Sequence, residues 1–446
     1  MDRDEQAPVP LAKSTDDPVS RRDLRTAGWG GLVGTALENY DFTIYGTATA
    51  LVFNKVFFTG ADPAVGVLAG FATYAVGFLA RPVGGLLFSR YGDRLGRKFV
   101  LVATLMLMGT ATMLIGVLPT YPQVGALAPA LLVVLRLLQG LGAGAEQAGA
   151  AVLLTEIAPV GQRGRYASLV WVGAGVGAAL AAIVWLLIQL LPADQVLEWG
   201  WRLAFLSSIF VTIAAYILRR RLREAPVFLE ARARRDEDRS PIASVLKTGR
   251  VGLARTFFLN TGPVTHSYIV QVFMGSYVIQ TVKADPRVVP PTLLAGAIIG
   301  AIACWGIGIL TDKVGRRPVA IGMTGFMVVF PVIAFPLLDT GQAVWIGLAI
   351  VIGFVFPVLG AFGGFAPVYG EMFGSQHRYA GVALAREFSA AIGGGFAPLI
   401  SGALVAAFAG WGGVAVYMAA IMLVSFVTAI RMPETRDRDL LSESDA

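Results

Sequence analysis

The sequence predicts an all-α integral membrane protein, with twelve transmembrane helices arranged as two six-helix halves. Hydrophobic residues make up 56% of the chain and charged residues 15%, whereas soluble domains average about 45–50% and 25%. The apolar runs are about 20 or more residues long, which is enough to cross a hydrocarbon core of roughly 30 Å. In addition, one characteristic turn occurs twice, half a chain apart. Together these observations indicate a duplicated helical bundle in lipid.

The repeated turn lies in two matching stretches, GGLLFSRYGDRLGRKFV at Gly84–Val100 and GIGILTDKVGRRPV at Gly306–Val319. In each stretch an apolar helical pattern ends at an acidic residue and a Gly-Arg pair, and a new apolar run begins at once. The pairs separated by the same 219 positions are Asp93 with Asp312, Gly96 with Gly315, and Arg97 with Arg316. A repeat of this length predicts two equivalent halves.

Composition and turn signals divide the chain in order. Residues 1–26 are polar and are predicted to be a disordered tail. The N-terminal half, 27–222, holds spans near 28–54, 64–91, 97–118, 126–157, 165–191 and 201–222. A charged linker, 223–249, precedes the C-terminal half, 250–432, with spans near 250–282, 291–314, 317–338, 342–373, 378–409 and 411–431. A polar tail, 433–446, closes the chain.

Basic residues predict the orientation. They cluster in every second turn, whereas the alternate turns hold only Lys55, Arg202, Lys283 and Arg287. By the positive-inside rule, both termini and the linker are predicted to be cytoplasmic. The excess of arginine over lysine favours a bacterial source, so the predicted location is a bacterial inner membrane. The charged linker also suits a nucleic-acid patch, but a solvated connector explains it together with the other basic turns. No nucleic-acid partner is therefore predicted.

Enzymatic motifs are missing from the sequence. GLGAGAEQAG resembles a dinucleotide loop only as a string, because it lies inside a predicted span without a preceding strand. Small residues that let membrane helices approach closely explain it better. With one cysteine, Cys304, and two histidines, no typical zinc site can form. The prediction is a protein that is not an enzyme and needs neither cofactor nor metal.

Charged residues inside the spans are the main candidates for a functional site, because each costs roughly 2.5–3.5 kcal/mol at a helix centre. They are Glu38, Asp41, Arg81, Arg136, Glu146, Arg386 and Glu387. At 1.5 Å per residue from the predicted cytoplasmic ends, Glu38, Arg81 and Glu146 lie about 15 Å deep and Arg386 about 13 Å deep. One central layer could therefore have arginine on both walls.

Arginine on both walls suits a carboxylate substrate held by bidentate hydrogen bonds. Arg81 and Arg386, with Arg136 as a further candidate, are predicted to bind the substrate, and Tyr40 and Tyr74 to line the cavity. Two plainer interpretations remain open: Arg81 and Glu146 may only neutralise each other, and the tyrosines may belong to the core or the interfacial belt.

Proton coupling needs a carboxylate whose protonation responds to burial and to substrate. Asp41, Glu146 and Glu38 are the candidates. His266, in the seventh span, could shuttle protons near neutral pH, although a lone histidine is more often a packing residue.

The order and spacing of several motifs resemble the major facilitator superfamily across residues 28–435. Besides the paired turns, ENYDF, FATYAVGFLARPVGG, GLGAGAEQAGAAVLLTEIAP and YAGVALAREFSAAIGGGFAP are similar to the metabolite:proton symporter family, which includes shikimate, α-ketoglutarate, citrate and proline/betaine carriers. The resemblance implies an arginine at position 81 even for carriers of zwitterions, and it favours Asp41 and Glu146 as the proton carriers. Ser89 and the Arg386-Glu387 pair depart from the family pattern.

The resemblance also implies a role for the repeated turns beyond simple anchoring. Gly96 and Gly315 suit tight turns with positive φ. The residues predicted to form a gate that closes the cytoplasmic side are Asp93, Arg94, Gly96, Arg97, Asp312, Gly315 and Arg316. Asp93 and Asp312 would there meet basic residues or a helix N-terminus.

The sequence therefore predicts a secondary transporter, a monomer that works by alternating access and carries a small organic anion together with protons. Two alternatives remain: a proton-driven exporter of a drug or secondary metabolite, and a non-transporting membrane receptor on the same fold.

Overall fold

Twelve long helices build the part of the molecule that the structure describes, with short helices at Tyr121–Val124 and Pro286–Val288 between them. The structure is a computed structural model that describes residues 21–59, 63–95, 97–144, 147–221, 245–375, 378–440, 442 and 444–446. Those ranges contain no β-strand, as the composition and the apolar runs predicted. Most of the predicted N-terminal tail and linker, and the predicted site residues Gly96 and Glu146, lie outside them.

Six helices form each half. The N-terminal half contains α1 (21–56), α2 (Pro63–Leu95), α3 (Arg97–Ile115), α4 (Leu127–Ala143 and Gln147–Ile157), α5 (Arg163–Ile188) and α6 (193–221). The C-terminal half contains α7 (250–280), α8 (Val289–Val314), α9 (Arg316–Asp339), α10 (343–371), α11 (378–408) and α12 (Gly412–Arg431).

Eight of these helices are long and apolar enough to cross a membrane, judged over the described residues alone. The other four are α1, α3, α4 and α7. Helices α1 and α7 carry buried polar side chains such as Glu38 and Asn260, which lower their apolar content. Such polar helices are tolerated in a membrane because their polar groups face the interior of the bundle.

Small residues bring neighbouring helices together, both between the two halves and within one half. Helix α5 packs against both α1 and α8. A Cβ at Gly164 would meet the Gly308 carbonyl oxygen at 2.3 Å, and a Cβ at Gly173 would meet the Leu32 carbonyl oxygen at 2.1 Å. The backbones are therefore too close for any larger side chain there. Helices α2 and α11 form the equivalent contact on the other side of the bundle.

Five helices contain a π-helical turn, among them Thr49–Phe53 in α1 and Ile269–Phe273 in α7. These two turns occupy nearly equivalent positions in the two halves and contact each other. A π-helical turn inserts one residue and often occurs at functional sites. Here it widens α1 and α7 at the end of the bundle opposite the Gly-Arg turns.

Cys304 lies in the packed core of α8. Its thiol is buried, and Sγ lies 3.6 Å from the Ser168 carbonyl oxygen of α5. A Cβ at Gly363 of α10 would stand 2.6 Å from the same sulfur. The only cysteine of the chain is therefore enclosed by three helices.

The segment after α12, residues 432–446, folds back over the C-terminal half. Glu434 accepts hydrogen bonds from the backbone N–H groups of Arg316 (2.8 Å) and Arg317 (3.0 Å), at the start of α9. Asp445 accepts from the backbone N–H groups of Gly252 and Gly374, both at 3.1 Å. We call this the C-terminal segment, and the end of the bundle that it covers the basic end.

Candidate functional site

A small cavity lies between the two halves near the middle of the bundle. Its polar lining comes from both halves and comprises Asn39, Arg81, Asn260, Ser267, Gln271, Arg386 and Glu387. The cavity volume is ≈ 30 Å³, whereas sites for small molecules usually measure about 300–1,000 Å³. The halves are therefore closed around the site.

Arg81 is the centre of a buried ion cluster that joins three helices. Its Nη1 donates to Glu38 Oε1 of α1 at 2.5 Å. Its Nε donates to Glu387 Oε2 of α11 at 2.9 Å, and Nη2 to Glu387 Oε1 at 3.3 Å. All three side chains are buried. The structure thus pairs Arg81 with Glu38 and Glu387, while Glu146, the other partner considered from the sequence, lies outside the described residues.

Arg386 reaches the same cavity from the C-terminal half. Its guanidinium carbon stands 4.6 Å from the ring centroid of Trp171, in α5 of the opposite half, and 5.9 Å from that of Tyr369. Cation–π contacts of this kind hold a guanidinium over the faces of aromatic rings. Arg81 and Arg386 therefore lie on the two walls of one cavity, as their depths predicted.

A hydrogen-bonded group of polar side chains continues the lining on the C-terminal side. The Tyr369 hydroxyl donates to Asn260 Oδ1 at 2.7 Å, and Asn260 Nδ2 donates to Ser389 Oγ. This group connects α7, α10 and α11 beside Arg386. It fixes the orientation of the Asn260 amide at the cavity.

Asp41 belongs to a second polar cluster, inside the N-terminal half. Its carboxylate accepts hydrogen bonds from Ser208 Oγ at 2.7 Å and Thr112 Oγ1 at 2.9 Å. Gln139 Nε2 donates to the same Thr112 hydroxyl at 2.8 Å, and Arg136 Nη1 donates to Gln139 Oε1. The cluster therefore links α1, α3, α4 and α6 through buried hydrogen bonds.

Arg136, Tyr74 and Tyr40 pack around this second cluster. The Arg136 guanidinium carbon lies 3.7 Å from the ring centroid of Tyr45 and 5.0 Å from that of Tyr74. The Tyr40 hydroxyl lies 2.6 Å from Ser207 Oγ. These three predicted substrate residues are buried, and the ring of Tyr74 lies 6.0 Å from that of Tyr268 in the other half. None of the three lines the described cavity, which is reached by Arg81 and Arg386.

The second of the two repeated turns closes the basic end. Asp312, at the end of α8, accepts hydrogen bonds from the backbone N–H groups of Gly164 and Arg165, each at 2.8 Å. These N–H groups lie in the first turn of α5, in the other half, where they have no acceptor within their own helix. A carboxylate at this position is stabilised by the helix dipole. Arg316 Nη1 donates to Asp312 at 2.8 Å, and Gly315 has φ +111°.

The matching turn in the N-terminal half is described only in part. Asp93, Arg94 and Arg97 lie in helices α2 and α3, and their side chains are outside the described part of the structure, as is Gly96 entirely. Their gating role stays a prediction.

Four further charges cross between the halves at the basic end. Arg378 Nη1 of α11 contacts Glu156 of α4 at 2.7 Å, and Arg163 Nη1 of α5 contacts Glu371 of α10 at 3.7 Å. Glu156 and Arg163 stand seven positions apart, as do Glu371 and Arg378. The repeated pairs therefore exchange partners across the interface. From the sequence alone, these two pairs indicated only the duplication, and no role was predicted for them.

The opposite end is closed by packing. A Cβ at Gly46 of α1 would meet Val272 of α7 at 2.8 Å, and the rings of Phe71 and Phe273 lie 6.2 Å apart. Gln189 Nε2 of α5 donates to the Pro286 carbonyl oxygen at 3.1 Å. Because both ends are closed, the structure represents an occluded state.

His266 lies away from the cavity. Its ring nitrogens each stand 3.2 Å from a backbone carbonyl oxygen, that of Gly262 in α7 and that of Met327 in α9. These contacts join two helices within the C-terminal half. The geometry favours the packing interpretation of this histidine over the shuttle.

Two six-helix halves closed around a central charged cavity define a membrane transporter. The chain belongs to the Major Facilitator Superfamily, whose family model matches residues 31–386. It is similar to the shikimate transporter of Escherichia coli K12, with 38% identity over 436 residues, 94% of this chain and 96% of the relative. It is also similar to the proline/betaine transporter of the same organism, with 30% identity over 98% of this chain and 90% of the relative.

Solved structures agree on the fold. The D-xylose-proton symporter superimposes with a TM-score of 0.70 at 18% identity, covering 93% of this chain and 99% of that chain. The family resemblance and the twelve-helix fold predicted from the sequence are thereby confirmed. The protein is a multi-pass secondary transporter of metabolites, and its family is not a family of enzymes.

Proposed function

We propose that the protein couples the uptake of a small organic anion, a mono- or dicarboxylate metabolite, to protons by alternating access. The observation that carries the proposal is that Arg81 and Arg386, from opposite halves, line one closed central cavity. A carboxylate between two guanidinium groups gains charge-assisted, bidentate hydrogen bonds. The shikimate transporter, to which the chain is similar, supports a carboxylate as the substrate.

Buried carboxylates would carry the coupled protons. Glu38 touches Arg81, and its Oε2 has no hydrogen-bond partner among the described residues. Asp41 is held by two hydroxyl groups. With Glu146, these groups would lead protons to the central layer. The energy would come from the proton gradient.

The halves would rock about the α2–α11 and α5–α8 contacts. Opening the basic end requires the Asp312 contact with α5 and the two crossed ion pairs to break, whereas opening the other end separates the π-helical turns of α1 and α7. We further propose that the basic end is cytoplasmic in a bacterial inner membrane. Since two halves already enclose the site, the working unit would be a monomer.

The test is uptake into proteoliposomes of labelled shikimate, α-ketoglutarate, citrate and proline betaine, with and without an inward proton gradient. We expect gradient-dependent accumulation of at least one carboxylate, and a loss of about 30-fold or more in Arg81→Gln, because truncating one partner of a buried charge pair costs about 2–5 kcal/mol. Arg202→Gln is the control, since Arg202 bonds to the Gly116 and Leu118 carbonyl groups within the N-terminal half.

The direction of transport is tested in parallel. If wild-type protein accumulates no carboxylate, and vesicles of inverted orientation instead concentrate amphipathic compounds under a proton gradient, the symport proposal is wrong. The protein would then be an exporter.

A further inference from the structure

Glu387 binds the guanidinium that the substrate is proposed to use. It contacts Arg81 through both carboxylate oxygens, Oε2 with Nε at 2.9 Å and Oε1 with Nη2 at 3.3 Å. Such a two-point contact is the geometry in which arginine binds a free carboxylate. In this occluded state, Glu387 therefore occupies the position of a substrate carboxylate.

The contact also joins the halves. Arg81 belongs to α2 of the N-terminal half and Glu387 to α11 of the C-terminal half, and both side chains are buried. Glu38 differs in this respect, because it binds Arg81 from α1 of the same half through one nitrogen, Nη1. A substrate carboxylate that takes Nε and Nη2 would thus displace Glu387 and leave Glu38 in place.

The charges around the cavity determine what must accompany that displacement. Four described ionisable groups surround Glu387. They are Arg81 from α2, Glu38 from α1, Tyr268 from α7, and Arg386, which precedes Glu387 in α11. With a neutral tyrosine, the positive charges of the two arginines cancel the negative charges of the two glutamates. A bound carboxylate adds one negative charge, and an unpaired buried charge is strongly disfavoured. One proton restores the balance.

We propose that the substrate carboxylate replaces Glu387 on Arg81 and that the displaced Glu387 carries the co-transported proton. Water on the entry side supplies the proton, an O–H bond forms on the Glu387 carboxylate, and the proton returns to water on the other side when Arg81 rebinds Glu387. One proton then moves with each monovalent substrate. This inference rests on the proposed symport and names the residue that couples it.

Glu387→Gln is the direct test, because glutamine has the shape of the protonated side chain and cannot titrate. The probe is labelled shikimate, or the acid of the panel above that wild-type protein accumulates. We expect Glu387→Gln to exchange internal for external probe at a rate within about threefold of wild type. Accumulation under a proton gradient should fall to a ratio of about one.

The pH dependence of binding gives a second reading. One coupled proton predicts that wild-type affinity weakens up to tenfold per pH unit on the alkaline side, whereas Glu387→Gln should show a flat profile. Glu198→Gln, which removes an exposed carboxylate of α6, is the matched control, and it should keep the wild-type slope. If Glu387→Gln accumulates the probe with the wild-type pH profile, or if Glu38→Gln alone flattens that profile, the assignment to Glu387 is wrong while symport stands.

If Glu387→Gln does not fold, the inference can still be tested by measuring the protons that wild-type protein takes up when substrate binds. Purified wild-type protein in weakly buffered detergent should take up about one proton per bound shikimate, measured at a pH where the affinity changes steeply with pH. No uptake overturns the inference, as does a folded Glu387→Gln that fails to exchange. Failure of wild-type protein to accumulate any carboxylate would instead reject the proposed function, and this inference with it.

Discussion

At the scale of single residues, the cavity depends on side chains whose chemistry cannot be exchanged. Arg386 is the clearest case, because its planar guanidinium stands 4.6 Å from the Trp171 ring centroid across the interface. Lysine carries the same charge but cannot stack or bind a carboxylate at two points.

We therefore expect Arg386→Lys to lower uptake almost as much as Arg386→Gln, by about 10- to 100-fold, or 1.4–2.8 kcal/mol. The measurement is the initial rate of carboxylate uptake, with Arg202→Lys as the matched control. A rate in Arg386→Lys within twofold of wild type would show that charge alone is needed.

Asp41 allows a test of the N-terminal polar cluster. Asn accepts one hydrogen bond through its Oδ1, and the hydroxyls of Ser208 and Thr112 can reorient to accept from its amide. We expect Asp41→Asn to remain folded, with a loss of stability of about 1 kcal/mol. Proton-driven accumulation should fall at least tenfold, while exchange of labelled for unlabelled substrate continues, because only the titratable group is lost.

Thr112→Val is the control for Asp41, because it removes one hydrogen bond of the same cluster and leaves the carboxylate. It should retain proton-driven accumulation. Unchanged accumulation in Asp41→Asn would limit this cluster to a structural role.

The sequence predicted part of this residue-scale picture. A fixed rise per residue placed Arg81, Glu38 and Arg386 in one layer. The structure brings Arg81 and Arg386 to one cavity, with Glu38 bound to Arg81. The sequence could not predict that Glu387 pairs with Arg81, because the two lie 306 positions apart and their contact depends on how the halves face each other. Asp41 and Arg136 were recognised as buried charges, but the pattern gave no sign that they lie outside the cavity lining.

At the scale of elements, the basic end is held by contacts that the repeated sequence arranges in pairs. Glu156 pairs with Arg378 and Arg163 with Glu371 between the halves, and Glu371 is also held by Arg316 of its own half. Reversing one charge places like charges together and weakens closure of this end.

We expect Arg378→Glu to speed hydrogen–deuterium exchange of the backbone at 163–166 and 312–318 by about tenfold, and Glu156→Arg/Arg378→Glu to restore part of the protection. Arg431→Glu, an exposed charge at the end of α12, is the control. Equal exchange in Arg378→Glu and wild type would mean that the pair does not hold the end closed.

The C-terminal segment adds a second stabilising contact to this end. Partial burial by itself would raise the pKa of Glu434, but N–H groups of Arg316, Arg317, Arg436 and Thr435 donate to its carboxylate and hold its pKa below its usual value. A lowered pKa means that the ionised form stabilises the folded protein. That contribution is complete above the unfolded pKa of about 4.3 and is lost as the pH falls through the folded value.

Glu434→Gln should therefore destabilise the protein by about 0.5–2 kcal/mol at neutral pH, as for the loss of a helix N-cap. Thermal unfolding in detergent should show a constant deficit from pH 8 to about pH 5.5 and a smaller one below about pH 4. The exposed Asp437→Asn is the control. A deficit independent of pH would show that packing rather than charge is responsible.

The sequence predicts some elements of the structure well and others poorly. Long apolar helices such as α8 and α9 were found readily, since lipid requires an apolar surface. The π-helical turns carry no distinct sequence signal, and the C-terminal segment was predicted only as a polar tail. Its contacts form because Glu434 and Asp445 find free N–H groups on elements distant in sequence.

At the scale of the whole molecule, duplication explains both what was predicted and what was missed. Equivalent turns at a constant spacing predicted two equivalent halves, and the family and fold confirm them. The proposed substrate site, however, lies where the halves differ. Arg81 of one half meets Arg386 and Glu387 of the other there, and under the proposed function selectivity would depend on features that the repeat does not share.

The enclosed thiol of Cys304 has a practical consequence for following these movements. Because that sulfur is shielded by α5, α8 and α10, maleimide reagents should leave the native chain largely unlabelled. Cysteines introduced in pairs, one on each half, could then carry spin labels or fluorophores without first removing the native residue. The distances between such probes would record, in lipid and under an applied gradient, which end of the carrier is open.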